Sequence, residues 1–96
     1  MKQWSILLVF LSLSLSLSAQ QGYEKDVFVS STGDSLPYRM IRPESMKAGK
    51  KYPLVLFLHG AGERGNDNER QLTHGGQMFL NPVNREKYPA FVLVPQ

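Results

Sequence analysis

The sequence has no cysteine. That excludes a disulfide framework, a thiolate metal site and a cysteine nucleophile, and it leaves the cellular compartment open. Charge of one sign is also scarce, with a formal net charge of +3. The cationic residues are scattered except for Lys47, Lys50 and Lys51, which read as a solvated loop. Neither feature gives ground for a nucleic-acid partner. Long apolar runs are missing too. The uncharged stretch Ile6 to Leu17 has 12 residues, too few to cross a hydrocarbon layer of ~30 Å comfortably as a helix.

What that stretch does fit is a secretory signal peptide. Lys2 gives a short positive start, the apolar segment follows, and small residues come next at Ser16, Ser18 and Ala19. A membrane anchor is the rival reading. Cleavage is expected after Ser18 or Ala19, dividing the chain into a signal peptide, 1–19, and a mature portion, 20–96. The membrane is then met only transiently, and the product is secreted or periplasmic. Removing Lys2 leaves a charge of about +2 on the mature chain. No cysteine follows the cleavage region, so lipid attachment there is not expected. At 42% hydrophobic residues the chain should be globular.

Past the signal, Tyr23 to Ser30 reads as a strand, Ser31-Thr32-Gly33-Asp34 as a turn, and Leu36 to Ile41 as a half-buried strand of period two. Together they predict an antiparallel hairpin. Pro37 lacks an amide donor, so one side of its strand should be an edge or unpaired. Arg42-Pro43 ends that strand. Leu54 to Leu58 is an apolar run opened by Pro53 and closed by Gly60, the pattern of a strand buried on both faces. Asn66, Asp67 or Asn68 can cap a helix through Leu72, with Asn66 and Glu69 spaced as a capping box. Gly75-Gly76 should end or kink that helix. Met78, Phe79 and Leu80 return to core packing, and Asn81-Pro82 breaks the chain again. Lys87-Tyr88-Pro89 then introduces Ala90 to Val94, as Lys51-Tyr52-Pro53 introduces the earlier strand. A β-α-β crossover follows from the spacing, and it should be right-handed. The expected fold class is α/β: an antiparallel hairpin, then two parallel strands joined by a helical crossover. A parallel sheet needs both faces covered, and no helix follows Val94, so the chain reads as the front portion of a larger domain.

Three motifs compete for the chemistry. Gly60-Ala61-Gly62-Glu63-Arg64-Gly65 matches G-x-G-x-x-G after a strand. A dinucleotide site needs its third glycine inside a helix facing the pyrophosphate, but Glu63 to Arg70 is polar throughout and Glu63 would set a carboxylate against phosphates. Gly33-Asp34-Ser35-Leu36 spells the GDSL esterase signature, yet Pro37 follows in a strand where that family needs a helix. The third match is His59-Gly60-Ala61-Gly62, which resembles the H-G-x-G oxyanion-hole loop of α/β-hydrolases. Ester hydrolysis passes through a tetrahedral oxyanion, and one fixed backbone N–H aimed at it can be worth ~3 kcal/mol. Glycine allows the close approach and sharp turn.

The likeness extends along the chain. Leu36-Pro37-Tyr38-Arg39, then Lys51 through Asp67 with its H-G-A-G-E-R-G-N run, then Phe91-Val92-Leu93-Val94-Pro95-Gln96, resembles the start of exported esterases related to dienelactone hydrolase, polyhydroxybutyrate depolymerase and feruloyl esterase. The resemblance implies that the Ala61 N–H is an oxyanion donor, that Gly60 and Gly62 shape the loop, and that His59 holds the loop and is not the catalytic base. It implies a small-molecule or polymeric ester substrate and no metal or organic cofactor. A tight turn without catalytic role is the alternative for the loop. Glu63, Arg64 and Asp67 either line the site mouth or tie the loop down. His74 reads as a surface or helix-end residue.

The resemblance also requires a G-x-S-x-G nucleophile elbow, an acid and a histidine after the fourth strand. None of the nine serines sits in G-x-S-x-G. The expectation is therefore an N-terminal piece of an exported serine esterase that supplies an oxyanion loop without the triad and is inactive alone. The alternatives are a non-catalytic exported α/β binding module or a non-functional truncation.

Overall fold

The computed structural model describes residues 22–96. The signal peptide and its cleavage site lie outside the described residues. Among these, no helix is long and apolar enough to cross a membrane.

Four strands form one mixed sheet: β1 (Glu24–Val29), β2 (Ser35–Ile41), β3 (Leu54–Leu56) and β4 (Phe91–Pro95), in the order β1-β2-β4-β3. β1 and β2 are the expected antiparallel hairpin, in register from Glu24 opposite Met40 to Val29 opposite Ser35. β4 runs antiparallel to β2 and parallel to β3. The two Tyr-Pro introductions meet in space, because the Phe91 N–H donates to the Pro53 carbonyl at 2.9 Å.

Residues opposite one another in a sheet share a face. One face carries Val55, Val92 and Ile41, with Val94 beside Arg39. The crossover packs on this face. Tyr23, Ile41, Leu72, Val92 and Val94 form the core, with Val55, Phe57, Phe79 and Leu80 against it. The Tyr23 hydroxyl donates to the Gly76 carbonyl at 2.7 Å, and burial pushes its phenol up to about 12. The opposite face carries Leu54, Leu56, Phe91, Leu93, Met40 and Tyr38. Burial on both faces of Leu54 to Leu58 is not observed. Leu54, Leu56 and Leu58 are 64%, 58% and 67% exposed, because none of the described elements covers that side. The strand is also shorter than its apolar run, although the Phe57 N–H still reaches the Leu93 carbonyl at 2.9 Å.

The expectation for Pro37 needs correcting in one respect: β2 is an interior strand. The β4 ladder begins one residue later, at Tyr38 opposite Pro95. Beyond it the Gln96 N–H donates to the Pro37 carbonyl at 2.8 Å. The missing donor thus falls at the end of a ladder, where the sheet tolerates it.

The expected helix through Leu72 is also corrected. A single 3-10 turn spans Arg70–Leu72. It is preceded by Asp67 Oδ1 accepting from the Glu69 and Arg70 N–H groups at 3.1 and 3.2 Å, so no Asn66–Glu69 capping box forms. Gly75-Gly76 opens a helix where an end was expected: α1 (Gly76–Leu80) has Gly75 as its N-cap, at φ +89°. Asn81-Pro82 does break the chain and then starts α2 (Pro82–Lys87), with Asn81 Oδ1 accepting from the Val83 and Asn84 N–H groups and Pro82 where its absent donor costs nothing. The crossover is therefore two short helices.

Backbone and packing both require glycine at position 75, which is in the left-handed region at φ +89°. A Cβ at Gly75 would lie 2.9 Å from Phe57 Cζ, and Phe57 itself stands edge-on to Phe79 at 5.5 Å. We expect Gly75→Ala to destabilise the fold by about 1–3 kcal/mol through backbone strain and the ring contact, read as a lowered urea midpoint at unchanged m-value.

Candidate active-site loop

Loops in open α/β sheets that carry function lie past the carboxyl ends of the strands. Residues 59–68 leave the carboxyl end of β3 beside that of β4. Gly60 is extended, at φ −84° and ψ 176°, and is followed by a 3-10 turn, Ala61–Glu63. The Glu63 N–H donates to the Gly60 carbonyl at 3.2 Å. The two preceding amides, of Ala61 and Gly62, are first-turn donors with no partner inside the turn. Residues Gly60, Ala61 and Gly62 are all exposed. They present adjacent N–H groups to solvent in a backbone held at both ends.

His59 holds the first end. Its Nδ1 lies 2.6 Å from the Gly60 carbonyl and its Nε2 3.2 Å from the Gln96 carbonyl. Both partners are acceptors. A neutral imidazole has one N–H and can serve only one of them, whereas the imidazolium serves both. The pKa of His59 is accordingly raised, first by the Gly60 carbonyl and then by that of Gln96.

The other end is held by buried polar groups. Asn68 is buried in the left-handed region at φ +55°, a conformation asparagine tolerates better than most residues. Its Nδ2 donates to the carbonyls of Asp26 and Tyr38, each at 3.1 Å. Its own carbonyl accepts from Arg39 Nε at 2.6 Å. Its Oδ1 accepts from the fully buried Gln71 Nε2. Gln71 Oε1 is buried without a partner among the described residues. Asp67 is held down to about 2 by the Gln96 side chain first, then by the Arg70 and Glu69 N–H groups.

Two of the three charged loop residues make tying contacts. Asp67 pairs with Arg70 at 3.5 Å, and Glu63 Oε1 lies 3.0 Å from His74 Nε2. His74 is a surface residue as expected, and its contact with Glu63 adds a tie to the loop. Arg64 makes no ion pair among the described residues. Arg39, Asn68, Gln71 and Gln96 were not singled out in the sequence for this role. Their types are ordinary and their partners are distant in the chain. No local signal marks them: Arg39 alternates with Tyr38 and Met40 in the sequence, and it is the structure that places it on the covered face.

The competing motifs do not form sites. Gly65, the third glycine of the G-x-G-x-x-G match, lies outside any helix. Ser35 begins β2, an antiparallel hairpin strand with no helix after it. No group of three or more histidine, cysteine or acidic residues among those described could hold a metal ion.

No family model matches the chain, and no curated protein matches it. A solved structure of a thermostable esterase is similar to it, with 40% identity and a TM-score of 0.71 over 78% of this chain. The fold is the N-terminal part of an α/β-hydrolase sheet. The chain spans about a fifth of that esterase, 21% of its length. In this sheet the His-Gly-Ala-Gly loop follows the third strand, and the fourth strand lies beside it.

The His59 geometry makes a pH-dependent prediction. A histidine whose folded pKa is raised adds stability that is fully present below its unfolded value, about 6.5. That contribution is lost as the pH rises through the higher folded value. An NMR titration of the His59 ring should give a midpoint above 6.5, and exchange of the Glu63 amide, which donates to the Gly60 carbonyl, should quicken above it once corrected for intrinsic rate. A ring titrating at or below 6.5 would contradict the double carbonyl contact.

Proposed function

We propose that this chain is the N-terminal portion of an exported serine ester hydrolase and that its part in the reaction is to offer the Ala61 N–H to the oxyanion. The observation that carries the proposal is the pair of unengaged N–H groups at Ala61 and Gly62, held at the carboxyl end of β3 in a chain that is 40% identical to an esterase over 78% of its length. The reaction would be acylation of a serine by a carboxylic ester and hydrolysis of the acyl-enzyme. As the carbonyl carbon becomes tetrahedral its oxygen gains charge, and a donor already fixed in place stabilises that charge without reorganising. Gly60 and Gly62 keep side chains away from the approaching oxygen. His59 fixes the strand end of the loop and does not act as base, since both ring nitrogens face backbone carbonyls. The serine, acid and base of the triad belong downstream of Gln96. Export rests on the reading of residues 1–19 as a signal peptide. No metal or organic cofactor is needed for this chemistry.

Two outcomes test the proposal. The 96-residue chain should show no turnover of a p-nitrophenyl ester above background. In the protein extended through a G-x-S-x-G elbow, Ala61→Pro should lower kcat about 10²–10³-fold. Proline removes the N–H, the first position of a turn tolerates it, and Gly60 already has the extended backbone that a residue before proline requires. A folded Ala61→Pro protein with unchanged kcat would refute the oxyanion role.

A further inference from the structure

Gln96 follows β4 directly, and all of its hydrogen-bonding groups are engaged. Its N–H donates to the Pro37 carbonyl at 2.8 Å. Its carbonyl meets His59 Nε2 at 3.2 Å. Its side-chain Oε1 accepts from the Asn68 N–H at 2.6 Å. Its Nε2 donates to Asp67 Oδ1 at 2.8 Å and to the Glu63 carbonyl at 3.3 Å. These partners bracket the Gly60–Gly62 segment. His59 precedes it, Glu63 closes its turn, and Asp67 and Asn68 end the loop.

The chemistry of the side chain matters. One end must accept from a backbone N–H while the other donates to a carboxylate and a carbonyl. Glutamine does both. A glutamate cannot donate when ionised and would face the Asp67 carboxylate. An alanine would keep the two backbone bonds, to Pro37 and His59, and lose all three side-chain ties. The strand end and the loop can therefore be uncoupled without breaking the strand.

We propose that Gln96 is the positioning residue of the loop, fixing the Ala61 and Gly62 N–H groups relative to the carboxyl end of β4. This rests on the oxyanion reading of that loop. In such a site a displacement of about 1 Å can cost 10²-fold in rate, so a side chain tied to the far side of the turn and to the loop's end bears directly on turnover.

The test has a structural and a kinetic arm. In the chain, Gln96→Ala should speed exchange of the Asn68 amide at least tenfold and move the Asp67 titration up from about 2 toward the ordinary carboxylate range, while the Phe91 amide keeps its protection. Gln96→Glu should retain protection of the Asn68 amide and raise the Asp67 titration further. Wild-type Asn68 exchange and Asp67 titration in a folded Gln96→Ala chain would overturn the proposal. In the protein extended through its nucleophile, Gln96→Ala should lower kcat about tenfold with KM for a p-nitrophenyl ester unchanged. A rate loss in Ala61→Pro with none in Gln96→Ala overturns the positioning role alone. No loss in either variant overturns the oxyanion reading on which it rests.

Discussion

The loop depends on the burial of one amide side chain. Asn68 carries its polar atoms into the interior, where an unpaired amide would cost several kcal/mol. It has partners on β1, on β2, on Arg39 and on Gln71. Two strands and the crossover therefore converge on one residue in a left-handed backbone conformation. That convergence turns a polar, glycine-containing segment without apolar anchors into a fixed object. It also accounts for the burial of Arg39. An arginine on the inward side of a strand is costly unless its donors are met, and here Nε meets the Asn68 carbonyl while Nη2 reaches Glu69 at 3.5 Å.

The sheet is unequal on its two faces. The covered face has the core, the crossover helices and the polar anchors. The other face has leucines at alternate positions of the third strand's run, with Phe91 and Leu93 of β4 beside them. A run that is apolar at every position has the composition of a strand buried on both sides. In the described residues it finds cover on one side only. The loop is anchored entirely from β1, β2, β4 and the crossover, so its geometry does not depend on a cover for the leucine face.

The strands, the hairpin and the parallel pair were legible because they rest on local signals: apolar runs, period-two alternation, and proline or glycine at the ends. The antiparallel pairing of β2 with β4 was not, because it joins segments with no local signal in common. The place of the candidate loop was legible for the same reason, since a doubly apolar strand running into His-Gly-Ala-Gly marks its own carboxyl end. The crossover was not. Gly75 looks like a helix terminator when its neighbours alone are considered, but it is the N-cap of α1, and the Phe57 ring, eighteen positions earlier, leaves no room for a side chain there. Asp67, Asn68 and Asn66 were interchangeable as caps on paper. The structure separates them by depth: Asn68 is buried and Asp67 remains at the surface holding the turn. The partners that make this choice lie on β1, on β2 and directly after β4, 28 to 42 residues away.

Pro37 shows how a local constraint reaches the candidate site. In an antiparallel hydrogen-bonded pair, two opposed residues exchange both N–H···O bonds. Pro37 and Gln96 stand in that relation, one step beyond Tyr38 and Pro95, but only the bond from Gln96 to Pro37 can form. The Gln96 carbonyl is left without its strand donor. His59 Nε2 takes that place. A residue with an amide at position 37 would compete for the same carbonyl and extend the ladder by one bond, at the expense of the contact that holds the start of the loop. The proline thus stops the β2–β4 ladder at the point where the sheet hands its last acceptor to the histidine of the His-Gly-Ala-Gly loop. The same carbonyl gives that histidine a second acceptor, which favours its charged form. The second acceptor of His59 and the end of the ladder are consequences of one missing hydrogen.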